Sequence, residues 1–597
     1  KDALADDPMA RSDSYKGALP MIAGLALTEP SYDGFMLTGN MKYLENTVEK
    51  TVPAGETLGF FIASSEVFDY SDRYQATDAS GNELTFWKAA PDAVVKTTHA
   101  RQSQTYYATG LGKGEEISNY SLNYASNGAT VKSTSVFFYG TTAPARAEDV
   151  TDADTAMYLS LSFKGTPSAI AAITATDTTA LQSATYYAGE KGDEISWYSA
   201  NYALQKDGTA YTTSSFKSWS LMVYEGGKLA NDSTISTEDR MTQTYSYKKN
   251  RFADNAAVEL LSAPSMLGVT GITYFHGGKN DEISWYTANY TARMDGTAYT
   301  DSTLKSWSLT VYEGDKLANT AGITTETAMT QTYTFKKGRF ATTGEIEAVT
   351  YAGLSGLEGV TSITHYLGEK GDELSNYAYN YAAKRDPTSG DYTTSVFKNT
   401  SVYFYGTAAL RAGQGASPED AMVESRTYKT ASADIALISD TTNIQSVTFY
   451  TGEKGDEISN YSYNYTLGTT TIKNTSVFYY GDTYVRSKDA LADDPMARSD
   501  SYKGALVNIT GSITDAAVLD TYAVAGGVTY YVDGVEASAA LTLTIDHALV
   551  ASTDIAGVTY YDFTASGVHY QLAEDTTTLT THARQSQTYY ATGLGKG

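Results

Sequence analysis

Short stretches of alternating apolar and polar residues run along most of the chain, and the same stretches return five times. The phrase GEEISNYSLNY (114–124) comes back as GDEISWYSANY (192–202), NDEISWYTANY (280–290), GDELSNYAYNY (371–381) and GDEISNYSYNY (455–465). Each is followed by a second phrase: VKSTSVFFYG, FKSWSLMVYEG, LKSWSLTVYEG, FKNTSVYFYG and IKNTSVFYYG. A third closes the unit, as in MTQTYSYKKNRFA from Met241 and MTQTYTFKKGRFA from Met329. A period of two is the mark of a half-buried strand. The larger period, about 80–90 residues, fits a small β-sandwich better than a solenoid rung. The pattern therefore predicts an all-β chain, a tandem array of antiparallel β-sandwich modules with inserted β domains.

The modules are expected at 97–172, 173–261, 262–351, 352–437 and 438–506. Lys1 to Leu19 is identical to Lys488 to Leu506, and Thr97 to Gly114 is identical to Thr580 to Gly597. Residues 1–19 thus read as the closing strand of a preceding module, and 580–597 as the opening strand of a following one. Between these constant flanks lie two dissimilar β cassettes, 20–96 and 507–579. The chain reads as one superrepeat of about 485 residues plus the start of the next, a segment of a longer array. The competing reading is exchange of terminal strands between subunits.

The first two phrases are expected to form a hairpin. Trp197 and Trp219 occur together, as do Trp285 and Trp307. In the other modules both positions change, to Asn119 with Thr134, Asn376 with Thr400, and Asn460 with Thr475. Paired switching points to cross-strand contact. The midpoints fall at Gly208 and Gly296, in Asp-Gly steps suited to a tight turn. This register puts the recurring pairs Tyr120/Tyr124, Tyr198/Tyr202, Tyr286/Tyr290, Tyr377/Tyr381 and Tyr461/Tyr465 on the face opposite the switching residues. The Tyr face is then the core, and Trp197, Trp219, Trp285 and Trp307 form a partly exposed patch for a neighbouring module, another fibre or a glycan.

Composition narrows the function. Lys plus Arg number 43 against 69 Asp plus Glu, a net charge of -26, which opposes binding to nucleic acid or anionic lipid. Cysteine is absent, so disulfides, thiolate metal sites and Cys nucleophiles are excluded, and an extracellular or cell-surface location is expected. No apolar run is long enough to span a bilayer as a helix, and the sequence, which begins at Lys1 with no initiator Met and no charged-then-apolar stretch, reads as a processed protein or as a segment of something longer.

Catalytic signatures are not found. The histidines at 99, 276, 365, 547, 569 and 582 show no metal-ligand spacing, and Gly110-Leu-Gly-Lys-Gly lacks the Ser or Thr of a phosphate loop. The chain is therefore expected not to be an enzyme and to need no cofactor. Calcium is the one ion considered, at Glu190/Asp193/Glu194, Glu369/Asp372/Glu373 and Glu453/Asp456/Glu457, since hard cations take several carboxylate oxygens. Lys191, Lys370 and Lys454 within those loops oppose it. Sequons at Asn119, Asn289, Asn399 and Asn474 permit glycosylation.

With its repeated phrases, its superrepeat and its lack of chemistry, the chain resembles the tandem β-sandwich proteins of bacterial and archaeal surfaces: filaments, giant adhesins and surface layers. That resemblance implies a mechanical role, with self-association as the partner interaction. Its alternative is an adhesin in which the modules are spacers and the cassettes, or the Trp patches, bind ligands such as surface glycans.

Overall fold

The computed structural model describes residues 7–17, 30–40, 42–45, 48–63, 74–77, 83–86, 94–207, 210–430, 443–492, 494–509, 513 and 515–590. They fall into two compact units, 1–196 with 211–213 and 197–210 with 214–597. The fold is all-β, built from repeated antiparallel modules in open sheets, as the alternation predicts. Among the described residues the α-helices are short, Asn255–Glu259 and Thr343–Glu347.

Each module supplies four strands in chain order. In the third module these are Val269–His276, Ile283–Asp295, Ala298–Tyr312 and Met329–Lys336. The strands pair as a meander. The fourth strand then pairs with the first strand of the next module, Val360–Leu367. The same seam joins Met157–Lys164 to Leu181–Ala188 and Met241–Lys248 to Val269–His276. It also joins Met422–Tyr428 to Ile444–Thr451. Modules thus connect edge to edge through backbone hydrogen bonds, which leave no unpaired edge between them.

On the Tyr face, a second layer comes from the segments linking fourth strand to first. Phe340, Ile346 and Leu354 close over Tyr286, Trp307 and Phe335 in the third module. Leu506 and Ile513 close over Val477, Tyr479 and Tyr502 in the fifth. The opposite face is small and polar: Thr273 and Thr287 hydroxyls lie 3.0 Å apart, and Asn289 donates to Ser308 at 3.0 Å.

The hairpin lies where the Asp-Gly step places it: Asp295 pairs with Ala298 around Gly296, whose φ is 60°. Gly208 lies outside the described residues. The register nearer the Trp residues differs from expectation. Trp219 faces Ala200 and Trp307 faces Ala288, rather than Trp197 and Trp285. Bulges cause the slip. Asn201 pairs with Ser218 but Tyr202 with Phe216, which leaves Lys217 as an extra residue. An odd shift reverses the face of every side chain beyond it. Trp219 and Trp307 therefore lie on the Tyr face, each 5 % exposed.

A second bulge explains the other switching position. Tyr274 pairs with Tyr286, but Phe275 pairs with Ser284, so Trp285 is the extra residue. Asn119, Asn376 and Asn460 are skipped in the same way. The extra residue of a bulge turns towards the same side as its neighbour, here the Tyr face.

The cassettes, unlike in sequence, attach alike. Ser31–Thr38 pairs with Val94–Ala108 on one side and Thr57–Ala63 on the other. Val518–Val524 does the same between Thr577–Tyr589 and Leu541–Asp546. In each long strand the second half continues the module sheet, against Arg11–Tyr15 and Met496–Lys503. The second cassette adds a five-stranded sheet of its own.

Candidate functional site: the seams between modules

The loop between first and second strands is a tight turn, with Asp372 N donating to Glu369 O at 2.9 Å and Asp456 N to Glu453 O at 2.8 Å. Glycine is required before it. A Cβ on Gly452, at φ 123°, would meet Asp456 O at 2.5 Å. This turn sets the following glutamate across the seam. Glu457 accepts from Met422 N, the first residue of the previous module's fourth strand, at 2.9 Å, and from Gly455 N at 2.9 Å. Glu373 accepts from Met329 N at 3.0 Å, Glu282 from Met241 N at 3.0 Å, and Glu194 from Met157 N at 2.9 Å. Glu116 accepts from Met9 N at 2.8 Å, and these backbone N–H groups hold its carboxyl below the usual range.

The repeated glutamate is thus a latch from one module to the strand before it. The acidic residues considered for calcium have separate occupations: Glu194, Glu373 and Glu457 at the seams, and Glu453 and Asp456 on lysines. Among the described residues no group of three or more His, Cys, Asp or Glu converges to hold a metal ion. Glu190, Lys191 and Asp193 are exposed.

The Trp/Asn switch is a core feature with a third member. After the third strand, modules with Asn carry a buried arginine, Arg146, Arg411 or Arg486; modules with Trp carry Leu229 or Leu317. Arg146 donates to Asn119 Oδ1 at 2.6 Å and to Ile170 O at 2.6 Å, while Arg411 donates to Asn376 Oδ1 at 2.9 Å. Arg486 donates to Asn460 Oδ1. Where Trp replaces Asn no amide is available, and an apolar leucine takes the arginine's place. At the Thr/Trp position a donor to the linker is kept in the second module, whereas the Trp307 indole nitrogen of the third is buried without a partner among the described residues. Thr134 donates to Gly165 O at 2.6 Å, and Trp219 Nε1 donates to the equivalent Lys249 O at 3.2 Å. Trp219 also contacts Phe216, with ring centroids 4.8 Å apart. Trp219 and Trp307 are buried rather than partly exposed, whereas Trp197 and Trp285 are half-buried, Trp285 against the third-module core.

The Tyr residues take unequal places. Tyr198 and Tyr286 are fully buried and donate to Glu259 Oε1 at 2.7 Å and Glu347 Oε1 at 2.6 Å. Tyr120, Tyr124, Tyr202, Tyr290, Tyr377, Tyr381, Tyr461 and Tyr465 are half-buried on the same sheet. Of the histidines, His99 Nδ1 bonds Lys16 O at 2.8 Å and His582 Nδ1 bonds Lys503 O at 3.0 Å, each where a cassette leaves the module sheet. The sequon residue Asn119 is 5 % exposed, its amide bonded to Arg146 and Glu148.

Sequence reasoning missed the arginines and the recurring lysine of the second phrase. Both were visible there, the first as a change that follows the Trp/Asn switch, the second as an invariant position. Comparison with known protein families finds no matching family model, and comparison with curated proteins finds no match.

Proposed function

We propose that the chain is a structural unit of an extended extracellular fibre, sheath or surface array, built by self-association and without catalysis of its own. One observation carries this reading: the same seam recurs at every junction. Fourth strand pairs with first strand at six junctions, and at the first five the glutamate latch ties the two, whether the junction follows a short linker or a whole cassette. A joint that tolerates such inserts suits growth by repetition. The cysteine-free, acidic composition supports an extracellular setting.

A second reading, the adhesin, is favoured by the cassettes. Two unlike domains hang from identical strands by the same histidine contact, an arrangement suited to exchanging binding heads for ligands such as glycans. Electron microscopy of the purified chain separates the two. Ordered filaments or sheets are expected; isolated rods at every concentration would favour the adhesin.

A further inference from the structure

At every seam three consecutive residues of the fourth strand face residues of the first, and the three behave differently. The middle pair, on the small polar face, is constant in kind: Ser12 with Thr105, Ser160 with Thr185 and Thr244 with Thr273. It continues as Thr332 with Thr364, Ser425 with Thr448 and Ser499 with Thr588. The pairs on either side of it lie on the Tyr face, and these change from seam to seam.

Between modules one and two they are apolar, Leu159 facing Tyr186 and Leu161 facing Ala184. Between two and three, Gln243 faces Tyr274 and Tyr245 faces Ile272. Between three and four, Gln331 faces His365 and Tyr333 faces Ile363. The next fourth strand carries Glu424 and Arg426, an ion pair opposite Phe449 and Val447. After module five the order of charge is reversed, Arg498 then Asp500, opposite Tyr589 and Gln587. The seam into module one has this same set, Arg11 and Asp13 opposite Tyr106 and Gln104.

The Arg/Asp set is served by its own first strand. Asp500 is fully buried and Arg498 nearly so, with Arg498 Nε 3.1 Å from Asp500 Oδ1. From the first strand Gln587 donates to Asp500 Oδ2 at 3.4 Å, and Arg584 Nη1 lies 3.5 Å from the same oxygen. Arg584 is itself held by the cassette, donating to Ala516 O at 3.1 Å and to Asp515 Oδ1 at 3.2 Å. In the seam into module one, Gln104 likewise donates to Asp13 Oδ2 at 3.3 Å. At the position of Gln587 the other first strands carry Ala184, Ile272, Ile363 and Val447, which have no side-chain donor. Against one of these Asp500 would stay buried with partners removed, and breaking a buried charged set in this way is strongly destabilising.

We propose that the variable pair selects the partner of each fourth strand. The backbone ladder and the constant Ser/Thr contact suit any first strand, whereas the Arg/Asp set admits only one that brings Gln and Arg from beyond a cassette. The chain repeats closely similar strands many times, so refusal of the wrong neighbour has to be built into the seam itself. The inference rests on the seam as the joint of the proposed array and names what each joint accepts.

The test rebuilds one seam of the full chain in the image of another. Arg498→Gln with Asp500→Tyr gives the fourth strand the variable pair of module two, Gln243 and Tyr245. Arg584→Val with Gln587→Ile gives the first strand the residues of module three, Val269 and Ile272. Either pair of substitutions alone makes a mismatched seam, and all four together make a matched one. Hydrogen exchange is followed along Met496–Lys503 and from Arg584 to Tyr589, with the unaltered seam of Met241–Lys248 and Val269–His276 as internal reference. Each mismatched chain is expected to exchange at least about tenfold faster at the altered seam, because polar groups there lose their partners. The matched chain is expected to return to within about threefold of wild type, the coupling that neighbouring residues show when both sides change together. Were the four residues needed only for stability, the fourfold variant would be the loosest of the set. Mismatched chains that exchange like wild type, or a matched chain no slower than they are, would overturn selection and leave the fibre reading intact. Isolated rods of wild type under the microscope would overturn the fibre reading alone, since exchange reads the seam within a single chain.

Discussion

His365 shows how placement within a strand sets a residue's chemistry. Its ring stacks on Tyr377 with centroids 4.4 Å apart and meets the edge of Tyr379 at 5.6 Å. Burial disfavours the imidazolium and pushes its pKa from 6.5 down to about 4. The folded module therefore holds His365 neutral where the unfolded chain binds a proton. Its contribution is complete above pH 6.5 and is lost as pH falls from there towards about 4. Hydrogen exchange of the Thr364 and Tyr377 amides is expected to speed up between pH 6.5 and 4.5, after correction for intrinsic rates, and to do so much less in His365→Phe. Equal acid sensitivity in both proteins would place the titrating group elsewhere. At the same scale, the Trp/Asn switch follows hydrogen-bond accounting. Arg486 donates to Asn460 Oδ1, Leu317 replaces the arginine where Trp285 offers no acceptor, and Thr475 or Trp219 supplies the donor for one linker carbonyl.

At the scale of elements, the seam is a pair of strands and one carboxylate. Glu373 caps Met329 N, which begins a strand, and Gly371 N in its own turn at 2.8 Å. Hydrogen bonds to a charged acceptor contribute roughly 1.5–3 kcal/mol each when shielded, and less here, where the loop is partly open to water. Glu373→Gln keeps one acceptor oxygen and should be mild; Glu373→Ala should destabilise the seam by about 1–2 kcal/mol. The expected readout is local: faster exchange at Met329 and Gly371, with little change at the buried strand around Leu309. Uniform loosening of the module would show that the glutamate supports the core rather than the seam.

The repeated Glu was plain in the sequence, yet a carboxylate-rich turn gives no sign of which backbone it will cap. The strands, and the hairpin turn at Gly296, were legible because alternation and Asp-Gly steps are local signals. Register was not. In the third module a bulge at Trp285 against the first strand, and irregularities at Lys305 and Ala292 within the hairpin, shift the register in ways that alternation cannot reveal, and Trp307 lies in the core rather than on the outer face. The ion pair between Lys217 and Asp456 was hidden for another reason, since its partners stand far apart in sequence and meet only through the stacking of modules.

At the scale of the molecule, the cassettes test whether the module sheet is independent of what it carries. Met496–Lys503 pairs with the second half of Thr577–Tyr589, from Arg584 to Tyr589, whereas the cassette strand Val518–Val524 pairs with the first half, up to Ala583. The two pairings share a strand but not residues. What the cassette does lend the module is its lid, Leu506, Ile513, Ala516 and Leu519 over Val477, Tyr479 and Tyr502. In the second module the linker after Lys248 supplies an equivalent lid, with Phe252 against Tyr247 at 5.2 Å and Val258 fully buried. Replacing residues 504–583 with residues 249–268 should therefore keep the fifth module folded. The melting transition of the five-module array should stay within a few degrees, because a closed seam and a covered core are both restored. Removing the same residues with only a flexible Gly/Ser bridge should instead expose that core and cost several kcal/mol, by loss of at least two large buried apolar side chains. Calorimetry of the three chains decides it. If the linker graft melts like the flexible bridge, the cassette is part of the module's own core, and the superrepeat folds as one body rather than as a sheet with exchangeable inserts.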